Sequence, residues 1–364
     1  MQGQTVAVES ADLNARRTSY GNIAIIGAAA LLAIVPLPQP FIERFYSTFL
    51  YIHLQRVITN ASNLAPFSLF DALIVGIIAL WLLELIADIR RRKPVIVRLL
   101  VRSVVWACLL YIAFVGLWGF NYRRVKLTEK LEIDARGVSQ EAARSLAATS
   151  IERLNAIYSQ THLDSVEGSL ESGFDRAQRE LGNVVMAIPG RPKSTMLRPF
   201  FRMTGVSGMT DPYFLETLID DSVLPVERPM VIAHEWGHLA GFADESEASF
   251  AGWLTCIHGS VRDQYSAWLF VFQEIMPIVG SETRSELVRR LDSGPREDLR
   301  AIAERARRQV NPRASRISSL VYDRYLKANR IPSGVANYGE VAGLLVGVRF
   351  GPDWTPQMKT KIKR

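Results

Sequence analysis

His234-Glu235-Trp236-Gly237-His238 sets two imidazoles four residues apart with a carboxylate between them. On a helix this spacing turns both rings to one side, where they can hold a Zn²⁺ while the intervening Glu235 serves as general base for a metal-activated water. The chain has only five His, so a chance pairing around a Glu on a surface helix is the weaker reading. Three carboxylates follow closely: Asp244, Glu245 and Glu247. A catalytic zinc takes three protein ligands and keeps an open fourth position, so His234, His238 and one of these acids would complete the set.

Local punctuation separates the three acids. Pro229 suits the first turn of a helix carrying both His, and Gly241 suits the position just past its end. Asp244 then reads as the N-cap of a second helix, with Glu247 at capping-box spacing. Glu245 has the weakest structural duty and is free to face the two imidazoles. Asp244 stays a rival, because H-E-x-x-H-x-x-G-x-x-D is also a zinc-binding pattern. Glu247 becomes one if the second helix starts later. Ser249, four residues beyond Glu245, shares its face and can hydrogen-bond a ligand. His258 falls on another face and reads as a polar surface residue, Cys256 as a buried small hydrophobe. An oxyanion donor is also needed; Tyr265 and Tyr338 are candidates, with Tyr338 preferred because Asn337-Tyr338-Gly339-Glu340 is a polar turn.

The elements that must position these groups divide the chain in three. Residues 1–20 are polar and read as a disordered tail. Residues 21–120 read as a membrane domain with three transmembrane helices, at about 22–38, 68–88 and 97–120, each near the ~20 residues a bilayer requires. Arg90, Arg91, Arg92 and Lys93 between the second and third spans, and Arg16 and Arg17 before the first, belong on the cytoplasmic side. That puts everything after about residue 121 outside the cytoplasm, although Arg123, Arg124 and Lys126 flank the third span on the wrong side for this rule. The aromatic segment Phe41–Phe67 reads as an interfacial helix on the outer surface, or equally as a packed loop.

Residues 121–364 form the candidate catalytic domain. Leu127–Gln160 has helical periodicity, and short strands are expected at Val184–Ile188 and Tyr213–Ile219 between Gly and Pro. Such a strand beside a metal could pair with an extended substrate. Residues 281–310 read as solvated helices broken at Gly294-Pro295, and Lys359–Arg364 as a basic surface tail. The fold class is mainly α with a small β-sheet. The net charge of +7 comes from residues scattered along the chain or beside apolar spans, which favours membrane orientation over nucleic acid as the reason for it. Two cysteines provide neither a disulfide framework nor a cysteine zinc knuckle.

Asn121-Tyr122, the His234–Phe250 block, Tyr325-Leu326-Lys327-Ala328-Asn329 and Asn337-Tyr338-Gly339 together resemble a bacterial domain-of-unknown-function family of multi-pass membrane proteins, predicted to be zinc metallopeptidases of the gluzincin type. The resemblance implies transmembrane helices followed by a zincin-like α+β domain. It also implies Glu245 as third ligand, the first Glu of an E-x-E-A pattern that is here Glu245-Ser246-Glu247-Ala248. Where that pattern often continues with Asn, this chain has Ser249. The combined expectation is an integral protein of the bacterial inner membrane with an extracytoplasmic domain. It would hydrolyse peptide bonds of a peptide or protein substrate, with Zn²⁺ as cofactor, Glu235 as general base, the lipid bilayer as surroundings and no nucleic-acid partner. The alternatives are a membrane sensor and a non-catalytic binding scaffold retaining the fold.

Overall fold

A computed structural model describes residues 20–92, 94–134, 138–161 and 169–359. The expected tail at 1–19 with Arg16 and Arg17, Lys93, and the last basic residues at 360–364 lie outside the described residues. The described chain is mainly helical with one small sheet.

Helix α1 (Tyr20–Ile34) and helix α2 (Gln39–Leu64) meet at a bend of 110°. Pro36 and Pro38 sit at the break, where missing N–H donors stop helical bonding. The expected first span is therefore a helix that ends before Pro36, and the two helices have the length of a span only as a bent pair. Two further helices are long and apolar enough to cross a membrane: α3 (Leu69–Arg90) and α4 (Val95–Leu117). Ser68 caps α3 by accepting from the Asp71 amide at 3.0 Å. Ile78, Leu82, Leu83, Ile96, Val97 and Leu100 of this pair are exposed, as side chains facing lipid would be. At the turn between the helices, Asp88 binds Arg98 at 3.0 Å and Arg102 at 2.6 Å.

The aromatic segment combines both sequence readings. Phe41, Phe45 and Phe49 of α2 are exposed, whereas Ile42, Tyr46, Tyr51 and Ile52 are buried, as are the polar side chains of Gln55 and Thr59. Gln55 donates to the Ile188 carbonyl at 2.8 Å and accepts from the Ile188 amide at 3.0 Å. Thr59 donates to Leu215 O at 3.0 Å, and Asn63 to Pro189 O at 3.1 Å. Helix α2 thus meets the backbone of residues 186–191 with side chains. The expected strand Val184–Ile188 does not form: Val184 and Val185 are a bend and Met186–Ile188 has no ladder partner.

The remaining helices are α5 (Gln140–Thr161), α6 (Leu170–Glu180), α7 (Arg198–Thr204), α8 (Arg228–Leu239), α9 (Glu245–Ile257), α10 (Val261–Ile275), α11 (Ser281–Arg289), α12 (Ser293–Gln309), α13 (Pro312–Ala328) and α14 (Asn337–Gly347). The helical reading of Leu127–Gln160 holds for Leu127–Lys130 and α5, which are separated by the bridging residues Leu131 and Ile133. Gly294-Pro295 lies in the first turn of α12, where Pro loses no intrahelical bond, so it opens that helix. Strands β1 (Pro192–Lys193), β2 (Gly208–Thr210) and β3 (Thr217–Ile219) form a sheet of order β1-β3-β2. β1 runs parallel to β3 with Lys193 opposite Leu218, and β2 antiparallel with Met209 opposite Leu218. Only the end of the expected Tyr213–Ile219 strand is paired.

Every residue of α9 is buried, and α8 lies antiparallel against it at very short range. A Cβ on Gly237 would stand 2.8 Å from Ala248 O, and one on Gly252 2.7 Å from His234 N. Any side chain there would push the helices apart, so these glycines set the helix separation on which the ligand geometry depends.

Asp211, in the turn between β2 and β3, is fully buried. It accepts from the Tyr213 and Phe214 amides at 3.1 and 2.7 Å. Burial raises its carboxyl to about 7, with the two amides opposing and nearby Glu216 adding to the rise. An acid with a raised folded-state pKa binds its proton more tightly when folded, so its contribution to stability is lost as pH rises through that value. The melting temperature of the solubilised chain is expected to fall between about pH 4 and 7, from the ordinary to the raised value of Asp211, and to level off above. Asp211→Asn should flatten that slope, and an unchanged slope would assign it to other groups.

Candidate metal centre

Helix α8 ends as its sequence indicates. Gly241 adopts φ +85, its amide donates to His238 O at 2.9 Å, and the Phe242 amide donates to Gly237 O at 3.1 Å. This double bond pattern is a Schellman turn, and Gly supplies the left-handed residue it needs. The turn brings the Phe242 carbonyl back to His238 Nδ1 at 2.8 Å. A carbonyl only accepts, so Nδ1 carries the proton and the neutral ring presents Nε2 as a lone pair. His234 Nδ1 lies 3.1 Å from Ser249 Oγ, the partner anticipated from helical spacing.

Asp244 caps α9, accepting from the Ser246 amide at 3.1 Å and the Glu247 amide at 3.4 Å. The expected capping box does not form. The Glu247 carboxylate instead accepts from the Leu127 amide at 2.6 Å, and burial raises its pKa to about 7, helped by Asp244. Lys126 pairs with Asp244 at 3.7 Å. Both rival acids therefore fasten the chain leaving α4 to the start of α9.

Glu245 occupies the first turn of α9 and faces the imidazoles. Its Oε2 lies 3.3 Å from His234 Nε2 and 3.4 Å from His238 Nε2, and is buried without a hydrogen-bond partner. Its Oε1 accepts from the Tyr322 hydroxyl of α13. The three residues each offer one ligand atom within 4.8 Å of the others. A tetrahedral ion with bonds of ~2.0–2.1 Å separates its ligand atoms by ~3.3–3.4 Å, which matches the two edges from Glu245 to the imidazoles. Two imidazoles and a carboxylate are also a donor set that zinc accepts. Without an ion, burial disfavours charge on His238, but the adjoining Glu245 carboxylate prevails and lifts the ring to about 9. Burial likewise opposes ionisation of Glu245, yet His238 and His234 hold its carboxyl far below the usual range.

Glu235 is buried beside the pair. Its Oε2 accepts from Thr210 Oγ1 at 2.9 Å, and a Cβ on Gly208 would stand 2.8 Å from its Oε1. The lack of a side chain at Gly208 thus lets the edge strand β2 lie directly against this carboxylate. Burial raises the Glu235 pKa while the two imidazoles and Thr210 oppose the rise.

Tyr338 has 43 % of its surface exposed, and its ring centroid lies 6.5 Å from that of Tyr322. Local desolvation, then the carboxylates of Glu245 and Glu235, hold its hydroxyl well above the ordinary phenol range. It therefore remains a proton donor at neutral pH. Asn337, buried, places it: its Oδ1 accepts from the Ser246 amide at 3.2 Å and its Nδ2 donates to Glu340 at 2.8 Å. Tyr265 is not brought to the site; its hydroxyl donates to Asp298 at 2.6 Å. His258 is away from the site too, but is paired with Glu180 at 2.7 Å and not a free surface residue. Cys256 is buried.

Sequence reasoning missed Thr210 and Tyr322, which come from β2 and α13. Tyr322 stood three residues before the Tyr325-Leu326 motif and had only helical spacing to mark it. The site also rests on α2 and on the residue that ends α4. Trp118 Nε1 donates to His238 O at 3.2 Å and Tyr51 to Leu239 O at 3.0 Å.

Over residues 46–346 the chain matches the family model described as Protein of unknown function (DUF3810). No curated protein and no solved structure matches it.

Proposed function

The chain belongs to the DUF3810 family, and for it we propose a membrane-anchored zinc metallopeptidase of the gluzincin type, with a zincin-like domain held outside the cytoplasm. One observation carries the reading: His234, His238 and Glu245 converge within 4.8 Å with Glu235 buried beside them. A zinc ion held there would supply Lewis acidity and bring the pKa of a coordinated water down to ~7. Glu235, oriented by Thr210, takes a proton from the attacking water and returns it to the leaving amine. Its raised pKa suits both transfers. The Tyr338 hydroxyl donates to the oxygen on which charge develops. β2 is the sheet edge nearest Glu235, and an extended substrate can pair along it.

The orientation follows from charge. Arg90, Arg91 and Arg92 lie at the turn of the α3–α4 hairpin, opposite the end where the domain stands, and belong in the cytoplasm. The basic residues that conflicted with this have structural partners. Arg123 donates to Leu32 O and Val35 O at 2.9 and 3.2 Å. Arg124 pairs with Glu43 at 3.2 Å, and Lys126 pairs with Asp244.

Zinc analysis of the purified full chain, with hydrolysis of a peptide library, tests the proposal. We expect close to stoichiometric zinc and a peptidase activity that chelation removes and zinc restores. A chain purified with zinc present that holds none would sink the reading.

A further inference from the structure

Helix α13 carries Tyr322 to the metal centre on one face and leaves Ile317, Leu320 and Val321 exposed on the other, at 63, 58 and 64 %. These three are neighbours at helical spacing. Arg313 and Arg324 stand a turn before and after them on the same face, where their stems can lie along acyl chains while the guanidinium groups reach phosphate.

The position of α13 indicates what covers this row. Its Tyr325 ring lies 6.1 Å from that of Phe114 in α4. Beyond its end, Asn329 and Arg330 share a cavity of about 230 Å³ with Tyr111 and Val115 of the same span. Between the spans, Tyr213 stacks on Phe70 at 6.2 Å and donates to Leu110 O at 3.4 Å. Leu110 and Tyr111 are about two turns inside the end of α4, roughly 10 Å at ~1.5 Å per residue. The domain is thus sunk beside the spans to a depth that the leaflet must occupy. Helix α7, packed on α13, exposes Phe200 and Met203, and Met196 just ahead of it is exposed too. The Met196 amide is bound at 2.7 Å by Asp71 in the first turn of α3, which ties this second apolar surface to the end of a span.

We propose that α7 and α13 lie in the bilayer interface, with α13 reaching the metal centre through Tyr322, so that the centre takes polypeptide segments held at the membrane, either lipid-anchored or leaving a span. The substrate class rests on the peptidase reading, whereas the placement of α13 does not. Bilayer continuity with the spans is the reason for choosing lipid over a protein partner as occupant: the same lipid that surrounds α4 at Tyr111 must meet α13 beside it.

The test uses the full chain in phospholipid nanodiscs. In a Cys108→Ser background, nitroxide is attached at Leu320→Cys and, as control, at Glu304→Cys on the exposed face of α12. Power saturation with oxygen and with a water-soluble nickel chelate reads the surroundings. Oxygen should dominate at 320 and nickel at 304; equal nickel access at both would overturn the placement. The same discs receive one peptide in acylated and free forms. Acylated peptide should be cleaved at least ~10-fold faster through its raised local concentration. Leu320→Glu should shrink that ratio without loss of zinc. Equal rates for the two forms would overturn the substrate class. Oxygen access at 320 with neither form cleaved would overturn the peptidase reading and leave the placement standing.

Discussion

On the proposed zinc-peptidase reading, a Glu235→Gln chain is expected to bind zinc and lose hydrolysis by ~10²–10⁴-fold, the usual worth of a positioned acid–base group, whereas Glu245→Gln should fail to hold zinc. The two carboxylates are close together but differ in what they face. Glu245 Oε2 is buried between two Nε2 atoms with no donor of its own, and an amide there would lower the negative charge of the ligand set. Glu235 has the Thr210 hydroxyl, and Gln fits the same space under Gly208. Competition with a chelating dye should put the affinity loss in Glu245→Gln beyond the ~10–100-fold typical of outer-shell partners. Tyr322→Phe, which removes only the donor on Oε1, should fall within that range. Asp244→Asn and Glu247→Gln preserve a cap and an acceptor for Leu127 and should hold zinc normally. Zinc lost from Asp244→Asn and kept by Glu245→Gln would reverse the ligand assignment.

That series separates local from non-local information. Pro229, Gly241, the Asp244 cap and the Ser249 contact were all legible because each depends on spacing within a turn or two of helix. Glu247 was misread because the competing donor, the Leu127 amide, is 120 residues away. A capping box is a local preference, and a buried unpaired amide outweighs it. Val184–Ile188 had strand composition, but the donors and acceptors that meet Ile188 and Pro189 are Gln55 and Asn63 of α2, so no ladder was needed there. The same helix read as interfacial or packed, since aromatic content cannot say which face is covered. Thr210 and Tyr322 carried no local signal of a site role, because only the fold brings an edge strand to Glu235 and a late helix to Glu245.

Removing Lys193 should cost the fold much of its stability. Its Nζ donates to Glu216 Oε1 at 2.5 Å and to Ser62 O at 2.6 Å, with the Lys and Glu side chains 2 and 0 % exposed. Glu216 also accepts from the Leu69 and Phe70 amides at 3.1 and 3.0 Å, so one carboxylate joins β3 to the first turn of α3. Lys193→Met would leave that charge buried with amide donors alone, a change that typically costs ~3–5 kcal/mol. The double variant Lys193→Met, Glu216→Gln removes both charges and should recover much of the loss, because buried pairs contribute little beyond their mutual compensation. The effect should also reach the chemistry. β1 aligns on β3 and β3 on β2, with Thr217 opposite Thr210, so loosening the sheet frees the hydroxyl that orients Glu235. Denaturant unfolding of the solubilised chain measures the first effect, and turnover at saturating peptide the second. A Lys193→Met chain as stable as its parent would mean that the α3 amides hold Glu216 without the lysine.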